Sequence, residues 1–136
     1  MSRRARAIVL DSWAVIAYLG DENAGEKVAE IMASAHESKT PLKMSIINVG
    51  EVWYSFARQA SETEADQAIS EIHELGIEFV DIGWALTRIA AAYKSKNRMS
   101  YADCFAAALT KQEKAELVTG DKGFKQVENE IKVNWV

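Results

Sequence analysis

The sequence predicts an α/β fold with a short, mostly parallel central sheet of four to five strands flanked by helices. Three observations predict it. Short apolar runs of strand length recur along the chain, amphipathic helical stretches separate them, and acids follow the first and fourth of those runs. At 136 residues the chain has the length of one domain with a real core, so 1–136 is read as a single domain.

The elements follow in order. "AIVL" (7–10) reads as a short buried strand. "GEKVAEIMASAHES" sets Val28, Ile31, Met32 and Ala35 on one helical face. "LKMS" (42–45) reads as a second strand, and 46–60 as a helix with Ile46, Val49, Trp53 and Phe56 on one side. "TEADQAISEIHELG" repeats the helical pattern through Ala65, Ile69 and Ile72, and Gly76 is a good stop. "IEFVDI" (77–82) reads as a third strand. "WALTRIAAAYKSK" is a helix with Leu86, Ile89, Ala90 and Tyr93 in register, and "SYADCFAAALTKQEK" is another, with Ser100 as its N-cap. "ELVT" (116–119) is a fourth strand, and "IKVNWV" a possible fifth. No internal repeat, linker or low-complexity tract breaks the pattern.

Composition narrows the class. Hydrophobic residues make up 49% of the chain and charged residues 26%, which is a globular balance. No apolar run reaches the length of a membrane span, so no membrane association is expected. The start, "MSRRAR", leads into an apolar stretch interrupted by Asp11 and lacks a small-residue cleavage site; it reads as a solvated tail and first strand rather than a signal peptide. A single cysteine, Cys104, excludes an intrachain disulfide and fits a cytoplasmic location. The net charge of −4 does not by itself suggest a nucleic-acid binder. A cluster of acids that binds cations would reverse that sign locally.

Four acids stand in apolar surroundings: Asp11 in "AIVLDSWAVIAYL", Glu51 in "SIINVGEVWYSF", Asp103 in "MSYADCFAAAL" and Asp121 in "LVTGDKGF". Asp11 and Asp121 follow strands, and ligands of open α/β sheets bind outside the strands' C-terminal ends. Glu51 and Asp103 come early on helices and can reach the same edge. Ala106 and Ala107 leave room around Asp103, while Asn48 and Ser55 make the stripe around Glu51 polar. Singly, Asp11 also reads as a helix N-cap, Asp121 as a turn residue and Glu51 as a solvated helix residue. As a set with equivalent placement, the functional reading prevails. At ~5 Å and an effective dielectric near 20, each pair of carboxylates repels by roughly 3 kcal/mol. Either some stay protonated or a cation joins them, and all-oxygen ligands suit Mg²⁺ or Mn²⁺.

These motifs, in this order and spacing over nearly the whole chain, resemble the PIN-domain ribonucleases, and among them the VapC-type toxins of toxin–antitoxin pairs. The resemblance implies a Rossmann-like three-layer sandwich and Mg²⁺- or Mn²⁺-dependent cleavage of RNA phosphodiesters. It maps Asp11, Glu51, Asp103 and Asp121 onto the metal-binding catalytic acids, and Ser12 and Thr119 onto supporting hydroxyls. It also implies a homodimer and a cognate antitoxin. Trp13, bulky beside the first acid, and Gly120, expected to give backbone freedom before Asp121, depart from the family pattern.

Other groups read more plainly. Lys94, Lys96 and Arg98 precede Asp103 and read either as a solvated helix end or as an RNA phosphate clamp. His36 and His73 read as solvated, Cys104 as a small core residue, and the Trp and Tyr residues as core or interface rather than base-stacking platforms. Competing functions are a housekeeping PIN nuclease, an aspartate-based phosphatase and a non-catalytic interaction module. Trp13 stands where haloacid-dehalogenase-like phosphatases carry a second Asp, and no acidic pair of the receiver-domain kind ends the first strand.

Overall fold

Five apolar segments form strands: β1 (Ile8–Leu10), β2 (Leu42–Ser45), β3 (Ile77–Val80), β4 (Glu116–Thr119) and β5 (Lys132–Trp135). They are described within a computed structural model that covers residues 5–20 and 23–136. All pair in parallel in the order β3-β2-β1-β4-β5, so the expected sheet is wholly parallel. Parallel neighbours need crossovers, and helices supply them. These are α1 (Ser12–Leu19), α2 (Asn23–Glu37), α3 (Ile46–Gln59), α4 (Glu62–Glu74), α5 (Trp84–Lys96) and α6 (Tyr101–Gln112), with a 3-10 helix (Lys122–Val127) before β5.

Strand side chains alternate between two cores, as a sheet covered on both faces requires. Leu10, Met44 and Val118 point to one side, where Val15, Val28, Met32, Val52 and Ile72 of α1 to α4 bury them. Val9 and Leu117 point to the other, against Leu86, Tyr93, Phe105 and Leu109 of α5 and α6 and Phe124 of the 3-10 helix. Cys104 lies fully buried in this second core.

Two expected details differ. On α3 the buried stripe is Asn48, Val49 and Val52, while Trp53 and Phe56 are half-buried and Ile46 is exposed. Asn48 takes an interior position because polar partners there satisfy its amide, which rotates the helix about its axis. The third strand stops at Val80 rather than 82. Neither α1 nor the 3-10 helix carries a periodic signal in the sequence. α1 is short and apolar nearly all round, so it has no amphipathic signal. Of the "RRAR" tail, Arg3 and Arg4 lie outside the described residues, and Arg6 is exposed. Among the described residues no helix is long and apolar enough to cross a membrane.

His36 and His73 are both exposed. His36 Nε2 lies 3.0 Å from the Leu75 carbonyl, and Gly76, at φ 83°, turns the chain beneath that ring into β3. At the α1–α2 contact, a Cβ on Gly25 would stand 2.6 Å from the Ala17 carbonyl oxygen and 3.1 Å from Tyr18 Cα. Both neighbours are backbone and cannot swing away. Gly25→Ala is expected to destabilise by ~1–3 kcal/mol, more than the ~1 kcal/mol that helix propensity returns. Urea unfolding with a lower midpoint and unchanged slope checks this.

Candidate active site

The acids meet where the parallel strands end. β1 and β4 pair with Leu10 opposite Val118, which sets Asp11 beside Thr119. Asp11 is 1% exposed. Its Oδ1 accepts the Ala14 amide at 2.9 Å, capping α1, and its Oδ2 accepts the Thr119 hydroxyl at 2.5 Å. Thr119 Oγ1 also accepts the Asp121 amide at 3.0 Å. Asp121 then caps the 3-10 helix, taking the Gly123 amide on Oδ1 at 2.9 Å. Asp11 is therefore an N-cap, as its single reading allowed, and is held in place across the sheet as well.

Glu51 is placed from the other side. The Ser45 hydroxyl, at the end of β2, donates to Asn48 Oδ1 at 2.7 Å. Asn48 Nδ2 donates to Glu51 Oε1 at 2.9 Å and to the Ala102 carbonyl on α6 at 3.2 Å. The Ser12 hydroxyl reaches the same Glu51 oxygen at 2.9 Å. Asp103 sits in the first turn of α6, whose N-cap Ser100 accepts the Asp103 amide at 3.1 Å. Asn48 thus ties α3 to α6 and Glu51 joins α1 through Ser12, a role for Asn48 that the sequence signalled only through its spacing from Glu51.

Glu51, Asp103 and Asp121 line one cavity of about 450 Å³ with Ser12, Ser100 and the apolar side chains of Trp13, Ile16 and Ala17. Asp11 is not among the lining residues; it is fully buried, with both oxygens engaged. A larger cavity, about 600 Å³, opens near the strands' N-terminal ends and includes Glu30, Glu116 and Lys132. There Lys132 already pairs with Glu116 at 3.2 Å, and no comparable acid set stands around it.

Burial and mutual repulsion mark these acids. Burial pushes the Asp11 carboxyl up to about 7; its hydrogen bonds to Thr119 and Ala14 offset part of this, and the charges of Asp103 and Asp121 add to it. Burial also pushes Asp103 up to about 6, helped by the charges of Asp121 and Glu51. A Cβ placed on Gly123 would lie 3.2 Å from Asp121 Oδ1 and 4.0 Å from Asp103 Oδ2, so these two carboxylates border the same spot. The donor set fits a hard divalent cation in chemistry and in charge. As they stand, no three His, Cys, Asp or Glu side chains among the described residues form a coordination shell.

The basic run precedes Ser100, which lines the cavity. Lys94, Lys96 and Arg98 are all exposed, and none lines the cavity. Lys94 Nζ donates to the Met99 carbonyl at 2.6 Å. The Gln126 side chain accepts the Arg98 amide at 2.8 Å and donates to the Arg98 carbonyl at 3.2 Å, fixing the loop that leads to Ser100. Nothing in the local pattern flagged Gln126.

Gly120 is not in the left-handed region. It is small for a different reason than expected: a Cβ there would overlap the six-membered ring of the Trp13 indole. The two departures from the family pattern are one packing contact. Trp13 belongs to neither core, and Trp84 is 73% exposed, so these two tryptophans are not core residues.

Known structures share this fold. No curated protein matches the sequence. The chain is similar in structure to VapBC2 from Rickettsia felis, solved bound to a DNA fragment from the promoter. The TM-score is 0.73 at 18% identity, covering 96% of this chain and 98% of that one. It is similar to VapBC-1 from nontypeable Haemophilus influenzae, with TM-score 0.71, 16% identity and coverage of 95% and 97%. It is also similar to Mycobacterium tuberculosis VapC20, described as a toxin that cleaves the sarcin–ricin loop, with TM-score 0.68, 16% identity and coverage of 89% and 95%. The PIN domain family model spans residues 8–130, from the first strand to the turn before the last, and the chain belongs to the PIN domain family.

Proposed function

We propose that this protein is a Mg²⁺- or Mn²⁺-dependent endoribonuclease, a single PIN domain over residues 1–136, acting as the toxin of a toxin–antitoxin pair in the cytoplasm. The observation that carries the chemistry is the bordering of one cavity by Asp103 and Asp121, with Glu51 on its wall and Asp11 buried at the strand end. Asp103 and Asp121 would hold the cation, with Asp11 and Glu51 completing the acidic set. When bound, the cation supplies Lewis acidity and charge neutralisation for in-line displacement at phosphorus.

The chain's own residues do the rest. Ser12 and Asn48 both donate to Glu51 Oε1, which fixes the carboxylate and leaves Oε2 without a protein partner among the described residues. We assign Oε2 to orienting the attacking water. Thr119 serves by pinning Asp11 and the Asp121 amide together. Ser100 orders the turn that presents Asp103.

Two partners belong to this reading. The VapBC structures it resembles support an antitoxin, and exposed Tyr54, Trp84 and Tyr101 support a homodimer surface. Sedimentation equilibrium at micromolar concentration should return twice the chain mass; a monomer overturns the dimer.

Cleavage of a structured RNA pool tests the activity. It should proceed with Mg²⁺ or Mn²⁺ and stop in EDTA; undiminished cleavage in EDTA overturns the proposal. Lys94, Lys96 and Arg98 are assigned to phosphate contacts. Lys94→Ala and Lys96→Ala should each weaken RNA binding across sequences and lower the salt slope by about 1. An unchanged slope removes them from the interface.

A further inference from the structure

From the packing of Trp13 we infer a base-stacking platform: its indole, seated on Gly120, holds the nucleobase beside the scissile phosphate. The inference rests on the nuclease reading above. It is carried by where the largest side chain of α1 goes. Ala14, Val15, Ile16, Tyr18 and Leu19 all enter the core between α1 to α4 and the sheet. Trp13 enters neither core. The indole is instead half-buried on Gly120 and lines the cavity that Glu51, Asp103 and Asp121 border.

Its surroundings fit a base. The cavity's lining divides by chemistry into acids, Glu51, Asp103 and Asp121, and apolar side chains, Trp13, Ile16 and Ala17. A nucleotide has the same division, a phosphate that needs charge compensation and a base with an apolar face. Stacking on an aromatic ring tolerates any base and contributes substantially to binding. The tilt of the ring is set by the missing side chain at 120. The six-membered ring occupies the space a Cβ would fill, and the Gly120 backbone is one that alanine also adopts. The nearest atoms that Gly120→Ala would displace are therefore those of the indole.

The test uses the full chain and an oligonucleotide spanning a mapped cleavage site, with each base in turn removed to leave an abasic sugar. Removing one base should lower kcat/KM of the wild type ~5- to 100-fold. Trp13→Ala should show a loss of the same size on the intact substrate and no further loss on that abasic one, with Trp13→Phe between. Gly120→Ala should lower cleavage in the wild type and change nothing in Trp13→Ala. Additive losses in either pairing overturn the platform. In an Asp103→Asn background, oligonucleotide binding should quench tryptophan fluorescence, and Trp13→Phe should abolish most of that quench. A quench that persists in Trp13→Phe overturns it too. If the wild type cuts no RNA, the nuclease reading fails by itself, while the fluorescence arm still reports whether Trp13 meets a base.

Discussion

Asp103→Asn is expected to lower RNA cleavage by at least ~10³-fold, because it removes charge from the point where the transition state needs a cation held. Asp103 is half-buried and borders the same spot as Asp121, so no neighbouring group replaces it. The amide keeps the shape of the side chain, and the Ser100 hydroxyl still accepts the backbone amide of residue 103. The fold should therefore survive, with an unchanged thermal midpoint or a slightly raised one. Undiminished cleavage by Asp103→Asn would remove this residue from the chemistry and sink the mechanism.

The second large effect concerns stability. The Asp11 carboxyl, pushed up to about 7 from an ordinary 3.8, binds its proton more tightly in the folded chain than in the unfolded one. Its contribution to stability is thus complete below pH 3.8 and is lost as pH rises through 7. Asp103, pushed up to about 6, acts in the same direction. Asparagine at 11 can still cap the Ala14 amide and can donate to the Thr119 hydroxyl, without the buried charge. Asp11→Asn should then exceed the metal-free wild type in unfolding free energy at pH 8 by up to about 4 kcal/mol, and the two should converge near pH 4. Millimolar Mg²⁺ should raise the wild-type midpoint at pH 8 and leave the Asp11→Asn/Asp103→Asn double variant unmoved. Denaturant titrations at both pH values decide it: equal stability of the two chains at pH 8 would mean that Asp11 is not ionised under strain. An acid that destabilises the fold unless a cation is bound is what a site selected for function looks like.

Strand positions were legible because each is a short apolar run between helices of clear period, and β2 and β4 coincide with the expected 42–45 and 116–119. The C-terminal edge was legible because Asp11 and Asp121 follow such runs directly. The unequal burial of the acids was not. Asp11 is fully buried because Thr119, more than a hundred positions later, satisfies one of its oxygens, and no local pattern reports such a partner. The orientation of α3 was misread for a related reason. Asn48 counts as polar in any periodicity, yet it is fully buried, supported by Ser45 and by a carbonyl of α6. The Trp13–Gly120 contact is likewise visible only in three dimensions, since each residue alone looks like an oddity in its own motif.

The Thr119–Asp11 hydrogen bond spans 108 residues. During synthesis, β1 leaves the ribosome early and β4 late, so the carboxylate must wait for its partner through most of translation. Helices α1 to α4 can form locally in that interval, but β1, which lies between β2 and β4, has only one of its two neighbours. An unfinished chain therefore has no completed acid cluster. For the ribonuclease proposed above, made on a machine built of RNA and fed by it, this delays competence until Thr119 and Asp121 have emerged and docked.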